Sequence, residues 1–217
     1  MPVRPLPEPQ RTERGERRRH KLLAAARQVF LERGYVGASI EEVMRRVGGS
    51  KASLYRYFGN KEGLFFDVLA LESERFMKDL EIPQTADPDV ERTLIAVGRR
   101  FLRQMIDEDR LGLYRVIFAE AQRFPELARR FFERGPRRSR EALARYLRLQ
   151  TEAGRLDCPD PDFAAAQFFE LIKGRPHTAL LFGLAPFPRG AGREAHVEAS
   201  VRLFLYGCSR SPRERRR

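Results

Sequence analysis

Apolar residues recur at helical spacing along most of this chain. Leu23, Ala26, Val29 and Phe30 mark the inner face of a helix over residues 15–33, which Gly34 should close as a C-cap. Ile40, Val43, Met44 and Val47 follow at i, i+3, i+4 and i+7, and Ser39 with Glu42 has the spacing of a reciprocal capping box. Gly48 and Gly49 permit a sharp reversal before Ser50 opens a third helix, whose Leu54 and Phe58 lie four apart and face inward. Asn60 caps a fourth helix that runs through Leu64, Phe65, Val68 and Leu69 toward Leu80.

Beyond Pro83 the pattern stays helical. Asp87-Pro88 and Asp160-Pro161 each place a capping carboxylate before a proline suited to the first helical turn. Between them lie an amphipathic run over 90–106, a short helix over 113–121 and a long one over 125–153 ended by Gly154. The runs 163–184 and 193–207 are apolar nearly all round, so they need burial on more than one side. A partner subunit is the expected second wall, touched by Leu181, Val197, Val201, Phe204 and Leu205. Pro176 should kink its helix near Ile172. No stretch alternates with period two, so the fold class is all-α.

The third helix is unusual on its outer side. Ser50, Lys51, Ala52, Ser53, Tyr55 and Arg56 combine small residues with cations, where an ordinary surface helix would carry long polar helix formers. Such a surface suits a DNA major groove about 12 Å wide, with Lys51 and Arg56 offering charge to phosphates or guanine edges. Order and spacing from residues 21–30 through Gly34, Ser39-Ile40, Gly48, Ser50-Lys51, Leu54-Tyr55, Tyr57-Phe58, Lys61-Glu62 and Leu64 resemble the helix-turn-helix of TetR-type bacterial repressors. That resemblance implies an N-terminal three-helix DNA-binding head, with Ser39 and Tyr57 on phosphate, 50–56 lining the groove and Lys61 holding phosphate beside its helix start. Two positions depart from the family pattern. Gly49 stands where an apolar residue is usual, and Ala52 replaces the usual glycine.

The second half, through Glu120, Phe124-Pro125-Glu126-Leu127, Gly135, Leu143, Gly154-Arg155-Leu156, Ala164-Ala165, Phe168 and Lys173-Gly174, resembles the AefR-like branch of the same family. It implies a larger helical body for effector binding and dimerisation, whose last two helices pair with their mates in a four-helix bundle. The expected organisation is a basic, partly disordered arm (1–20), a head (21–66), a body (67–208) and a basic tail (209–217).

Charge agrees with that division. Residues 1–20 carry six Arg against three Glu, residues 21–61 eight cations against three Glu, and residues 209–217 five Arg against one Glu. Residues 62–208 hold 23 cations and 23 anions, so the whole formal charge of +12 sits in the amino-terminal part and the tail. The partners implied are a double-stranded DNA operator, a second copy of the chain and a small apolar or aromatic effector that releases the operator. A non-specific DNA-compacting protein and a helical interaction protein are the rival readings.

Effector walls are sought among Phe101, Met105, Tyr114, Ile117, Phe118, Phe124, Phe168, Phe169, His177 and Phe182, with Arg115, Glu120, Glu170 and His177 as polar contacts. The three histidines lack metal spacing, no glycine-rich phosphate loop is present and no nucleophile has a strand-turn-helix setting. Neither an enzyme nor a cofactor is expected. Without an apolar run of about 20 residues or a leader pattern, and with only Cys158 and Cys208 for thiol chemistry, the expected location is the cytoplasm and the expected thiols are reduced.

Overall fold

A computed structural model describes residues 13–86 and 88–207. Among them every regular element is a helix, and the chain divides into two compact units, Met1–Leu69 and Ala70–Arg217. The first twelve residues, Asp87, and residues 208–217, with Cys208 and the basic tail, lie outside the described residues.

In the first unit, α1 (Glu13–Gly37), α2 (Ile40–Val47), α3 (Lys51–Phe58) and the start of α4 (Lys61–Leu80) enclose one core. Leu22, Leu23, Ala26, Val29, Leu54, Leu64 and Phe65 are buried there. Phe65 meets Phe30 edge-on at 4.5 Å between ring centroids, and Tyr35 lies 5.1 Å from Phe65 and 6.1 Å from Phe30, closing a three-ring cluster. Gly34 leaves helical geometry (φ 67°, ψ −179°) as a closing glycine would, yet helical structure resumes as far as Gly37. Ser39 caps α2 by accepting from the Glu42 amide at 3.1 Å. The reciprocal half of the box is replaced, because the Glu42 carboxylate pairs with Arg45 and Arg46 one turn on.

In the second unit, α5 (Val90–Met105) is capped by Asp89, which accepts from Arg92 N at 3.0 Å. The cap is therefore not Asp87, and Pro88 precedes the helix instead of opening it. Asp107 caps α6 (Glu108–Glu120) by accepting from Arg110 N at 3.0 Å, so the helix starts at the residue that satisfies its orphan amide, well before the apolar run at 113. The long helix expected over 125–153 is α7 (Pro125–Phe132), a π turn (Glu133–Arg137) and α8 (Arg138–Glu152). Pro136 cannot donate within the ladder and its ring crowds the preceding turn, so the backbone widens there. Ser139 Oγ donates toward the carbonyls of Gly135 and Pro136 at 3.2 and 2.9 Å.

Asp160 caps α9 (Pro161–Leu181) with Pro161 in its first turn, as the sequence predicts. The kink falls at Gly174 (φ 54°, ψ −171°), two residues before Pro176, since only glycine enters this conformation without strain. Pro176 has no N–H for the Ile172 carbonyl. His196 of α10 (Ala191–Gly207) donates Nε2–H to it at 2.9 Å, and Ser200 Oγ reaches the Leu171 carbonyl at 3.2 Å. Leu94, Val97, Leu102, Leu143, Leu147, Phe168 and Ile172 form the centre of this unit's core. No helix of the described residues is long and apolar enough to cross a membrane, and Cys158 is buried.

Candidate nucleic-acid interface

The surface of α3 follows from where its apolar residues go. Leu54 and Phe58 are buried, so helical geometry turns Ser50, Lys51, Ala52, Tyr55 and Arg56 to the outside, with Ser53 and Tyr57 half-buried on the flanks. The rod is short but well closed. Ser50 Oγ accepts from Ser53 N at 3.3 Å, and Gly59 N donates to the Tyr55 carbonyl at 2.8 Å. Arg56 lies 5.9 Å from the Tyr57 ring, which steadies the guanidinium without spending its donors.

The turn before α3 explains the first departure from the family pattern. Gly48 N donates to Met44 O at 2.7 Å, and Gly49 takes φ 95°, a region L side chains avoid. The Arg18 guanidinium of α1 crosses this turn, bonding the Val47 carbonyl at 3.3 Å and also the Gly48 carbonyl. It occupies the space that a Gly49 side chain would need. Sequence reasoning missed Arg18, although the missing side chain at Gly49 was its trace.

Much of the head's positive charge is engaged inside the head. Lys61 donates to the Val36 and Ala38 carbonyls at 3.2 and 3.0 Å and sits 4.8 Å over the Tyr35 ring, so it knits the α1–α2 connection. A phosphate would have to compete with those carbonyls. Arg46 grips Glu32 at 2.9 and 2.5 Å through two nitrogens, which raises its own pKa and lowers that of Glu32 through the hydrogen bond. Arg19 pairs with Asp67 at 2.6 Å and stands 5.7 Å over Phe58. Lys51, foremost of the groove candidates, meets Glu41 of α2 at 2.5 Å. That hydrogen bond raises the Lys51 pKa and lowers that of Glu41.

In the body the effector candidates separate into three groups. Phe101 and Phe169 pack at 4.5 Å, with Met105 and Ile117 also buried. Phe168 turns its edge to Phe204 at 5.2 Å, inside the core. Tyr114 meets Phe131 edge-on at 5.3 Å, and burial of its hydroxyl pushes its pKa up to about 12. His177 is half-buried; burial first, then Lys173, lowers its pKa, and its buried Nε2 has no hydrogen-bond partner among the described residues. Phe124 is half-buried against Arg123. Phe118 and Phe182 are 63% and 73% exposed, away from the buried aromatic cluster around Phe101 and Phe169. Arg115 spends two donors on the Leu180 and Leu181 carbonyls, both at 3.0 Å, and Glu170 pairs with Lys173 at 2.8 Å.

The expected partner face also shifts. Val197, Val201 and Phe204 point into the chain's own core, while Leu181 and Leu205 are half-buried. A helix apolar on every side must still give one face to its own subunit. The faces left outside carry Leu203 and Tyr206 on α10 and Phe163 on α9, with Phe182 just beyond it.

Two family models match the chain, one in each half. Residues 22–68 match the model of bacterial regulatory proteins of the tetR family, and residues 92–207 match the C-terminal domain of AefR-like transcriptional repressors. The HTH-type transcriptional regulator YvkB of Bacillus subtilis is 26% identical over 191 residues, covering 87% of this chain and 96% of its own. Among solved structures, the flavonoid-responsive regulator FrrA is 33% identical with a TM-score of 0.79, covering 90% of this chain and 98% of its own. A TetR-family regulator from Mesorhizobium loti is 29% identical with a TM-score of 0.80, over 91% of this chain and all of its own.

Proposed function

We infer that this chain, which belongs to the TetR family of helix-turn-helix transcriptional regulators, is a dimeric repressor that a small apolar or aromatic molecule releases from a palindromic operator. The family is not an enzymatic one. The carrying observation is α3: its two large apolar residues anchor it in the head, and a narrow surface of Ser50, Lys51, Ala52, Ser53, Tyr55 and Arg56 is left for the major groove. Ser39 and Tyr57 would touch flanking phosphates, and Lys61 would reach one only by leaving its carbonyls.

Two heads on a twofold axis read half-sites about 34 Å apart, so dimerisation sets the operator's symmetry. The exposed Leu203 and Tyr206 support the partner face better than the residues buried behind them. Phe101, Phe169, Tyr114 and His177 support an aromatic effector, a reading consistent with the flavonoid response of FrrA. The effector would act by favouring the state of the body that the operator does not accept, in proportion to its preference for that state. Its place of action is the cytoplasm, where the operator is.

The test begins with fragments that the protein retains from its own genome. Lys51→Ala should weaken binding to such a fragment at fixed salt while helicity stays unchanged. Unchanged affinity would take Lys51 off the reading surface. Equal affinity for the fragment and its scrambled duplex would replace a specific repressor with a non-specific DNA-binding protein.

A further inference from the structure

The Lys51–Glu41 contact differs from the pairings within α2: it and the Arg46–Glu32 pair link separate helices, and of these two only it takes up a cation of the outer face of α3. Arg45 and Arg46 reach Glu42 at i+3 and i+4 along α2, the ordinary pairing of a helix surface. Lys51 reaches across the Gly48-Gly49 turn to another helix, Nζ to Oε1 at 2.5 Å, with both side chains about half exposed (53% and 55%). Neither helix end depends on it, since Ser39 and Ser50 already cap α2 and α3.

We propose that Glu41 is a specificity-determining residue, which holds the Lys51 ammonium away from DNA of arbitrary sequence and yields it only where α3 meets its own site. The inference rests on the DNA-binding reading of α3 and adds a residue to it.

An exposed ion pair shifts an equilibrium by no more than about fivefold, so this latch opens easily. Its effect comes from competition. On random DNA, Lys51 can neutralise a phosphate only by leaving Glu41, and the freed carboxylate then stands unpaired beside a polyanion. The head forfeits one cation's share of counterion release. On the operator, the correctly placed acceptor repays the exchange, because a base edge or a fixed phosphate holds the ammonium in register. Glu41 therefore lowers bulk affinity more than specific affinity. Both groups stay charged at neutral pH, each reinforcing the other's ionisation.

The experiment is a double-mutant cycle on the full chain: wild type, Glu41→Gln, Lys51→Met and the double variant. Each is titrated by anisotropy over a series of salt concentrations with a random-sequence duplex and with the genomic fragment that wild type retains most tightly. Glu41→Gln should tighten the random duplex by up to about fivefold and steepen the salt slope by about one. It should tighten the selected fragment less, so the specificity ratio falls. With Met at position 51 the same substitution should tighten either duplex much less, because only the carboxylate's own repulsion is then removed. Equal tightening with and without Lys51 would overturn the proposal, reducing Glu41 to background charge, and so would equal tightening of both duplexes. Wild type binding neither duplex would remove the DNA-binding reading as well, whereas an additive cycle with intact fragment binding removes Glu41's role alone.

Discussion

Replacing Gly49 with valine would restore the apolar character usual at this position in the family, and on sequence alone it looks like a repair. The structure makes it a lesion. Gly49 sits at φ 95°, where an L residue costs about 1–2 kcal/mol and a β-branched one at least that. Its new Cβ would also displace the Arg18 guanidinium, which holds the Val47 and Gly48 carbonyls. Losing those partly exposed hydrogen bonds adds about 1 kcal/mol, for a total near 2–3 kcal/mol. Urea unfolding followed by far-UV circular dichroism should show Gly49→Val with a lower midpoint at an unchanged slope. In an Arg18→Ala background, Gly49→Ala should cost only the backbone part, about 1 kcal/mol. Gly49→Val at wild-type stability or above would refute the reasoning, because neither the strained turn nor the guanidinium plug would then be real.

His196→Ala should cost about 1–3 kcal/mol, the penalty for leaving the Ile172 carbonyl without a donor, read as a drop in Tm; an unchanged Tm would show that the kink does not depend on His196. Tyr114, with its folded pKa near 12 against an ordinary 10, binds its proton more tightly in the folded chain. Its stabilisation is therefore complete below pH 10 and lost as pH rises toward 12, at about 1.4 kcal/mol per unit. Tyr114→Phe should flatten that part of the stability profile, and an equal alkaline decline in both proteins would contradict the assignment. Leu203→Asp, at a position 61% exposed, should leave helicity intact but shift sedimentation toward the monomer and weaken operator binding together; a persistent dimer would move the partner face elsewhere.

What could be read directly was whatever local chemistry decides. Ser39, Ser50 and Asp160 cap their helices because a side-chain oxygen within one turn finds an orphan amide whatever the rest of the fold does. The inward placing of Leu54 and Phe58, and thus the outward face of α3, follows from helical period alone. Sequence reasoning takes the Asp87-Pro88 pair as the start of α5 and passes over Asp89, whose side chain accepts from Arg92 N. The helix expected to run unbroken over 125–153 instead widens at Pro136, whose missing N–H and ring disturb the ladder there.

The sequence by itself determined the all-helical class, the two-helix reading unit and the confinement of net charge outside the body, because caps, period and composition act over a turn or two of chain. Tertiary structure alone decided which side of an all-apolar helix is spent at home: Val197, Val201 and Phe204 go to the core, Leu203 and Tyr206 to the outside. It also decided how polar groups distant in sequence pair, as with Arg18 on the Gly48 carbonyl, His196 on Ile172 and Glu41 on Lys51. Such contacts depend on the three-dimensional approach of separate helices, and a one-dimensional pattern carries no distance between them.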